Sequence, residues 1–464
     1  MSNIRRGVDD NSADYLFLLK LNVPFSDRDK IIAVLKGLQA VADEKMAPER
    51  TFGTRRLPDG TRRPLAVVGD LHLNLLVAFG LSFFLGPLGS AGRANEESIP
   101  NFPPGGTFTA RTPTRFAIND RSVPMYLRTM GAQGDRDWIV ADLTARNGGV
   151  APSDDDATAA YNAWLAAGEA DILLQIDCEY EVVALDLINA IRERVIDPSG
   201  LLIASIQRGC SRRDGKAHIG FFDGTSNLQQ MMVDDPVGYR AHIYLPVPSA
   251  AYPGQPTEVR DDPRYDGGTY LAYRKYSENL DKWHSDDFQV TDYYGNVFKG
   301  EEARLHAIGR NPHTANAISR MSHKQLQPEP DHTEINLSYN EAHALKARGG
   351  ATAPFMGPFP PVQVGHSNAF NTQDIRLRRR GIAYSELNSQ TGKVEYGLHF
   401  ICYQNNIQQT GFEFINNIWL MNPDFRRSTD GLMNPVGNII TPIEGAYYFV
   451  PPEAHSYPGD VFFE

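Results

Sequence analysis

The chain has 464 residues, too many for one ordinary hydrophobic core, so two domains are expected. A net charge of −11 and a pI near 5.6 argue against a nucleic-acid partner. An apolar fraction of 41% with 22% charged residues is ordinary for a globular protein. Cys178, Cys210 and Cys402 stand far apart and make no metal-ligand spacing, which suggests free thiols in a reducing compartment. No apolar run follows the first residues, and the most apolar stretch, Leu75 to Leu88, is too short to cross a bilayer. The expectation is a cytoplasmic protein with no membrane partner.

In chain order, Tyr15 to Val23 reads as a buried strand. Ser26-Asp27-Arg28-Asp29 then resembles a helix start, with Ile31, Ile32, Leu35, Leu38 and Val41 at helical spacing behind it. Leu65 to Val68 reads as a strand, and Leu75 to Leu85 as either a helix or a pair of strands. Residues 148–170, rich in Gly, Asp and Ala, read as an exposed insertion. Ile172 to Ile176 is a strand, and Val182, Val183, Leu185, Ile188, Ile191 and Val195 mark a helical face. Leu201 to Ile206 is a strand. The second half repeats the idea, with strands at Thr269–Tyr273, Tyr396–Tyr403 and Ala446–Val450, and helices around Trp283 and over Phe412–Leu420. Residues 322–362 are irregular and rich in proline. This order suggests an α+β protein with helices packed on sheets, divided into 1–210 and 211–464.

Two stretches carry chemistry. The first runs from Gly365 to Tyr384, where His366 precedes Arg376, Arg378, Arg379 and Arg380, interleaved with Ile375, Leu377, Ile382 and Tyr384. That mixture suits a half-buried strand whose alternate side chains face opposite ways, so some guanidinium groups point inward and need an anion or a task. The second is Gly220-Phe-Phe-Asp-Gly-Thr-Ser-Asn227. Of five Asp-Gly pairs in the chain, only Asp223-Gly224 has a glycine three residues before the aspartate. Phe221 and Phe222 set that carboxylate against an apolar wall.

Together the two stretches resemble the dye-decolourising peroxidase family of haem enzymes, whose fingerprint is Gly-x-x-Asp-Gly followed far downstream by a histidine and an arginine-rich strand. Further segments in family order are Asp266-Gly-Gly-Thr-Tyr-Leu-Ala-Tyr-Arg274, Ala307-Ile-Gly-Arg310, Gly397-Leu-His-Phe-Ile-Cys-Tyr-Gln404 and Gly445-Ala-Tyr-Tyr-Phe-Val-Pro-Pro452. The resemblance covers both halves and is weakest over 90–170 and 322–362. It implies two ferredoxin-like domains with antiparallel sheets, barrel-like together, and one haem b held mainly by the second. His366 matches the proximal iron ligand, with His313 and His323 as alternatives. Asp223 matches the distal aspartate. Arg379 matches the distal arginine, because it stands two residues before Gly381; Arg378 and Arg380 stay open as alternatives. Leu398 and Phe400 match the apolar roof of the distal pocket, while Arg274 and Asn227 match groups near the haem edge. Glu413 is a candidate carboxylate behind the proximal histidine.

The implied partners are hydrogen peroxide and a small organic reductant or dye, and a homo-oligomer is left open. An aspartate base keeps working where a histidine would be protonated, so activity on the acid side of neutrality is expected. Two other readings of the same scaffold are a haem-binding or iron-releasing protein and a haem-free structural or cargo protein.

Overall fold

The computed structural model describes residues 8–9, 13–86, 133–222, 228–246, 262–292, 294–315, 341–347, 376–388, 391–408, 410–422, 428–435 and 437–464, with short pieces at 115–118, 123–124 and 127. The expected irregular segment 322–362 lies mostly outside them; the described part holds one turn of helix, His343–Lys346.

The first half begins with strand β1, Tyr15–Asn22, an almost unbroken apolar run that is buried along nearly its whole length. Helix α1, Arg28–Lys45, follows. Its N-cap is Asp27, whose side chain accepts from the Lys30 amide, so the cap falls one residue after Ser26. Ile31, Val34, Leu35, Leu38 and Val41 are buried beneath it, and each such side chain contributes about 1.5–3 kcal/mol by leaving water. A hairpin of β2, Thr51–Arg56, and β3, Arg62–Val67, stands apart from the main sheet. The ambiguous apolar stretch resolves into strand β4, Asn74–Gly80, and a short helix, Leu81–Leu85.

Residues 148–170 are largely exposed, as expected, but they are helical rather than irregular. They form helix α3, Asp154–Gly168, preceded by α2, Gln133–Arg146. Ser153 caps α3 by accepting from the Asp156 amide, and three aspartates in the first turn suit the helix dipole. Composition misled here because alanine and glycine are what a helix needs to lie close to other backbone. A Cβ at Gly168 would overlap Gly445 O. Strand β5, Ile172–Cys178, helix α4, Glu181–Ile191, and strand β6, Leu202–Cys210, complete the half. In α4 the buried face is Val183, Ala184, Leu187 and Ile188, whereas Val182 and Leu185 are exposed.

The second half contributes β7, Thr269–Glu278, a small hairpin of β8, Gln289–Thr291, and β9, Val297–Lys299, helix α5, Gly300–Ile308, and strands β10, Arg378–Leu387, β11, Val394–Gln404, and β12, Ile440–Val450. The segment from Phe412 to Leu420 is helical, passing from α to π geometry at Ile415.

Eight strands form one sheet in the order β10-β11-β7-β12-β4-β5-β1-β6. In each half the four strands lie in the same sequence, second, third, first, fourth, with every recorded pairing antiparallel. The halves join where β12 pairs with β4, Tyr448 opposite Gly80 and Phe449 opposite Phe79. The curved sheet brings its two edges back together without a ladder: Gly209 of β6 abuts Ile382 of β10, and His399 of β11 reaches the Arg208 carbonyl at 3.3 Å. The expected α+β class with antiparallel ferredoxin-like units is what the chain adopts. No helix among the described residues is long and apolar enough to cross a membrane.

Candidate active site

Register decides which side chains of β10 and β11 share a face. Arg379 pairs with Cys402, Gly381 with Phe400, and Ala383 with Leu398, so these six residues point to one side of the sheet. Arg378, Arg380, Ile382 and Tyr384 point to the other, the inside of the curve. Because the side-chain period of a strand is two, three consecutive arginines cannot serve one site.

The two inward arginines have protein partners. Arg380 donates to Asp177 of β5 at 2.8 Å through Nη2, where Asp177 is completely buried. Arg378 is also fully buried; its Nη2 donates to the Asp9 carbonyl at 2.6 Å and its Nε to the Val8 carbonyl at 3.4 Å. Arg379, on the opposite face, is half-buried.

On that outer face Gly381, Leu398 and Phe400 are likewise half-buried, although β11 lies one strand in from the sheet edge. The four residues make a strip of one cation, one glycine and two apolar side chains. Leu398 and Phe400 pack against an apolar cluster that contains Ile219, Phe221, Tyr276 and Trp283. Phe221 brings the Gly220-Phe-Phe turn to the same wall. The turn is fixed by Gly220 at φ +86°, by the Trp283 indole donating to Ile219 O at 2.9 Å, and by an isolated bridge between Lys216 and Phe222. The strand register therefore places Arg379, Leu398 and Phe400 on one face, and the chain enters Asp223 from the cluster packed on that face. Asp223, Asn227, His366 and His323 themselves lie outside the described residues.

His313, the other alternative ligand, is exposed at a turn where its amide donates to Asn311 Oδ1 at 2.7 Å. Glu413 is buried at the start of the Phe412–Leu420 helix. Arg274 pairs across the ladder with Phe400 and lies on the same face, but deep. Its Nε and Nη2 donate to one Asp135 oxygen at 3.0 and 2.8 Å, and Nη2 also donates to Tyr447 Oη at 2.8 Å. Phe412, Tyr447 and Trp164 rings surround the guanidinium within 4.7 to 5.6 Å. Burial pushes the Asp135 carboxyl up, the nearby guanidinium offsetting this only in part, while the carboxylate beside it raises Arg274. Arg274 thus meets a carboxylate of its own chain.

Asp135 and Trp164 went unread in the sequence. Tyr161 and Trp164 are three apart in an alanine-rich run after Ser153 and three aspartates, and that capping signal could have exposed α3. Nothing comparable announces Asp135. Among the described residues no group of three or more His, Cys, Asp or Glu is arranged to hold a metal ion.

Similar proteins fit this arrangement. Residues 362–455 match the family model for the C-terminal part of Dyp-type peroxidases. No curated protein sequence matches. Among solved structures, the DyP-type peroxidase from Cellulomonas bogoriensis is similar at 18% identity and a TM-score of 0.54, over 99% of this chain and 95% of that one. DtpA from Streptomyces lividans is similar at 16% identity and a TM-score of 0.58 over the same shares, and the DyP-type peroxidase from Streptomyces coelicolor at 16% and 0.56 over 97% and 92%. These likenesses show the shared fold. Together with the match over the segment that carries the arginine strand, they show that the chain has the fold of the DyP-type peroxidases and that its C-terminal part resembles theirs.

Proposed function

We propose that the chain reduces hydrogen peroxide with a haem b bound against the outer face of β10 and β11, and oxidises small organic reductants such as dyes or phenols. The observation that carries this reading is the strip of Arg379, Gly381, Leu398 and Phe400. It offers apolar contact and one cation to a flat group, while the neighbouring arginines point to the other face of the sheet. DtpA, of the same fold, has been solved in ferric and oxyferrous forms. Non-covalent binding agrees with the absence of any Cys-x-x-Cys-His sequence. We take the two sheet repeats as two domains that meet after Cys210, the end of β6.

Haem supplies the redox chemistry when bound. In this reading His366 holds the iron, and Asp223 takes the proton from one peroxide oxygen and returns it to the other. Arg379 stays protonated, so it is no base; its charge favours the oxygen that departs. Leu398 and Phe400 exclude bulky molecules from that face.

The visible spectrum of the purified, haem-supplied protein, before and after one equivalent of peroxide, tests the reading. A Soret band that shifts with peroxide is expected, and His366→Ala should lose the band while His313→Ala keeps it. A band that peroxide leaves unchanged, with iron released instead, supports the haem-storing reading; no band at all removes both.

A further inference from the structure

Behind the strip, on the inner face of the same strands, the chain buries a tyrosine and a histidine together. His399 stands between Leu398 and Phe400 in β11, and Tyr273 precedes Arg274 in β7, so both side chains turn away from the strip. Both are completely buried. Tyr273 Oη lies 3.2 Å from His399 Nδ1, and His399 Nε2 lies 3.3 Å from the Arg208 carbonyl. A carbonyl only accepts, so Nε2 carries the proton and a neutral ring leaves Nδ1 bare. The Tyr273 hydroxyl must then be the donor.

The surroundings keep that ring neutral. Burial, with Lys275 and Lys20 nearby, pushes His399 down to about 3. Lys275 is held by Gln207 and Glu386, and Lys20 by Glu444 and the Gly168 carbonyl. Three other tyrosines on the inner face of the sheet strands donate to no base, whereas Tyr239 and Tyr244, packed against that face, donate to the Asp9 carboxylate. Tyr403 donates to the Gln175 amide oxygen at 2.7 Å, Tyr448 to the Gly168 carbonyl at 3.4 Å, and Tyr384 Oη has no hydrogen-bond partner among the described residues.

We propose that Tyr273 and His399 form a buried proton-coupled redox pair that holds one oxidising equivalent behind the haem face. The proposal rests on the peroxidase reading, because its oxidant is the chain's own haem after reaction with peroxide. Tyr273 gives one electron to that centre and its hydroxyl proton to His399 Nδ1, leaving a phenoxyl radical and an imidazolium whose Nε2–H stays on Arg208 O. Re-reduction returns one electron to Tyr273, and the proton goes back because His399 is a weak base in this site. A phenol that has lost an electron becomes a strong acid, so in a low-dielectric interior a tyrosine with a base in place to take its proton is more easily oxidised than one without. Full burial of both rings keeps the radical from bulky reductants.

Two measurements decide it. Nitrogen-15 NMR of histidine in the purified protein reads the tautomer without haem: the Nε2–H form is expected for His399, and the Nδ1–H form overturns the proposal. Electron paramagnetic resonance of haem-loaded protein frozen after peroxide should show a tyrosyl signal with an exchangeable deuteron coupling in D2O. Tyr273→Phe should lose this signal while the peroxide-induced Soret change persists, and His399→Leu should lose the deuteron coupling. A tyrosyl signal unchanged in Tyr273→Phe, beside a normal Soret change, overturns the pair and spares the peroxidase reading. No Soret change in the wild type overturns both.

Discussion

Arg380 and Asp177 meet at 2.8 Å inside the curved sheet and tie a strand of the second half to one of the first. The pair explains why an arginine next to Arg379 is free of duty at the outer face. Removing either partner leaves an uncompensated buried charge, which costs about 3–5 kcal/mol. Asp177→Asn and Arg380→Leu should therefore both lower stability by that order in urea unfolding, and a paired apolar replacement should recover much of it. A loss below about 1 kcal/mol in both single variants, the size of a surface pair, would show that the bridge is not desolvated in solution.

Arg379→Leu should behave differently. It removes no ion pair inside the curve, so haem retention should persist. Loss of a charge aimed at the departing oxygen should slow the peroxide-induced spectral change about a hundredfold or more, worth about 2.7–4 kcal/mol. Stopped-flow spectroscopy measures it. Equal slowing in Arg378→Leu would take Arg379 out of the mechanism.

Arg274 should matter for folding. Its two donors on Asp135 need a planar fork, so Arg274→Lys should not substitute, and both Arg274→Lys and Asp135→Asn should lower the thermal midpoint. The effect should appear equally in protein purified without haem. Destabilisation that vanishes without haem would reassign Arg274 to the cofactor.

His399 predicts an acid limb of stability. Its folded value of about 3 lies below the ordinary 6.5, so between those values the unfolded chain binds a proton that the native one refuses. The contribution is complete above pH 6.5 and fades as pH falls towards 3, by about 1.4 kcal/mol per unit at the steepest. His399→Gln should flatten that limb in unfolding experiments at fixed ionic strength. An unchanged slope would mean that the ring is accessible to protons. Activity on the acid side must be measured within this limit.

Much of the frame is legible in the chain itself. Largely apolar runs such as Tyr15–Asn22 and Ile172–Cys178, short and bounded by polar residues, read as strands buried on both sides, and the apolar spacing in α1 reads as a helix. The resemblance carried by Gly220 to Asn227 and Gly365 to Tyr384 pointed to the family whose model matches residues 362–455, and the period of two in Arg378–Arg380 implied that one of the three faces away from its neighbours. Which arginine met which anion was a different matter. Asp177 is 203 positions from Arg380, and Asp135 is 139 from Arg274. Local sequence records propensity and side-chain alternation, but the partner of a buried charge depends on strand order and on which edges a curved sheet brings together. The same holds for Tyr273 and His399: neither is conspicuous in sequence, and only the pairing of β7 with β11 and the approach of β6 give the histidine its tautomer.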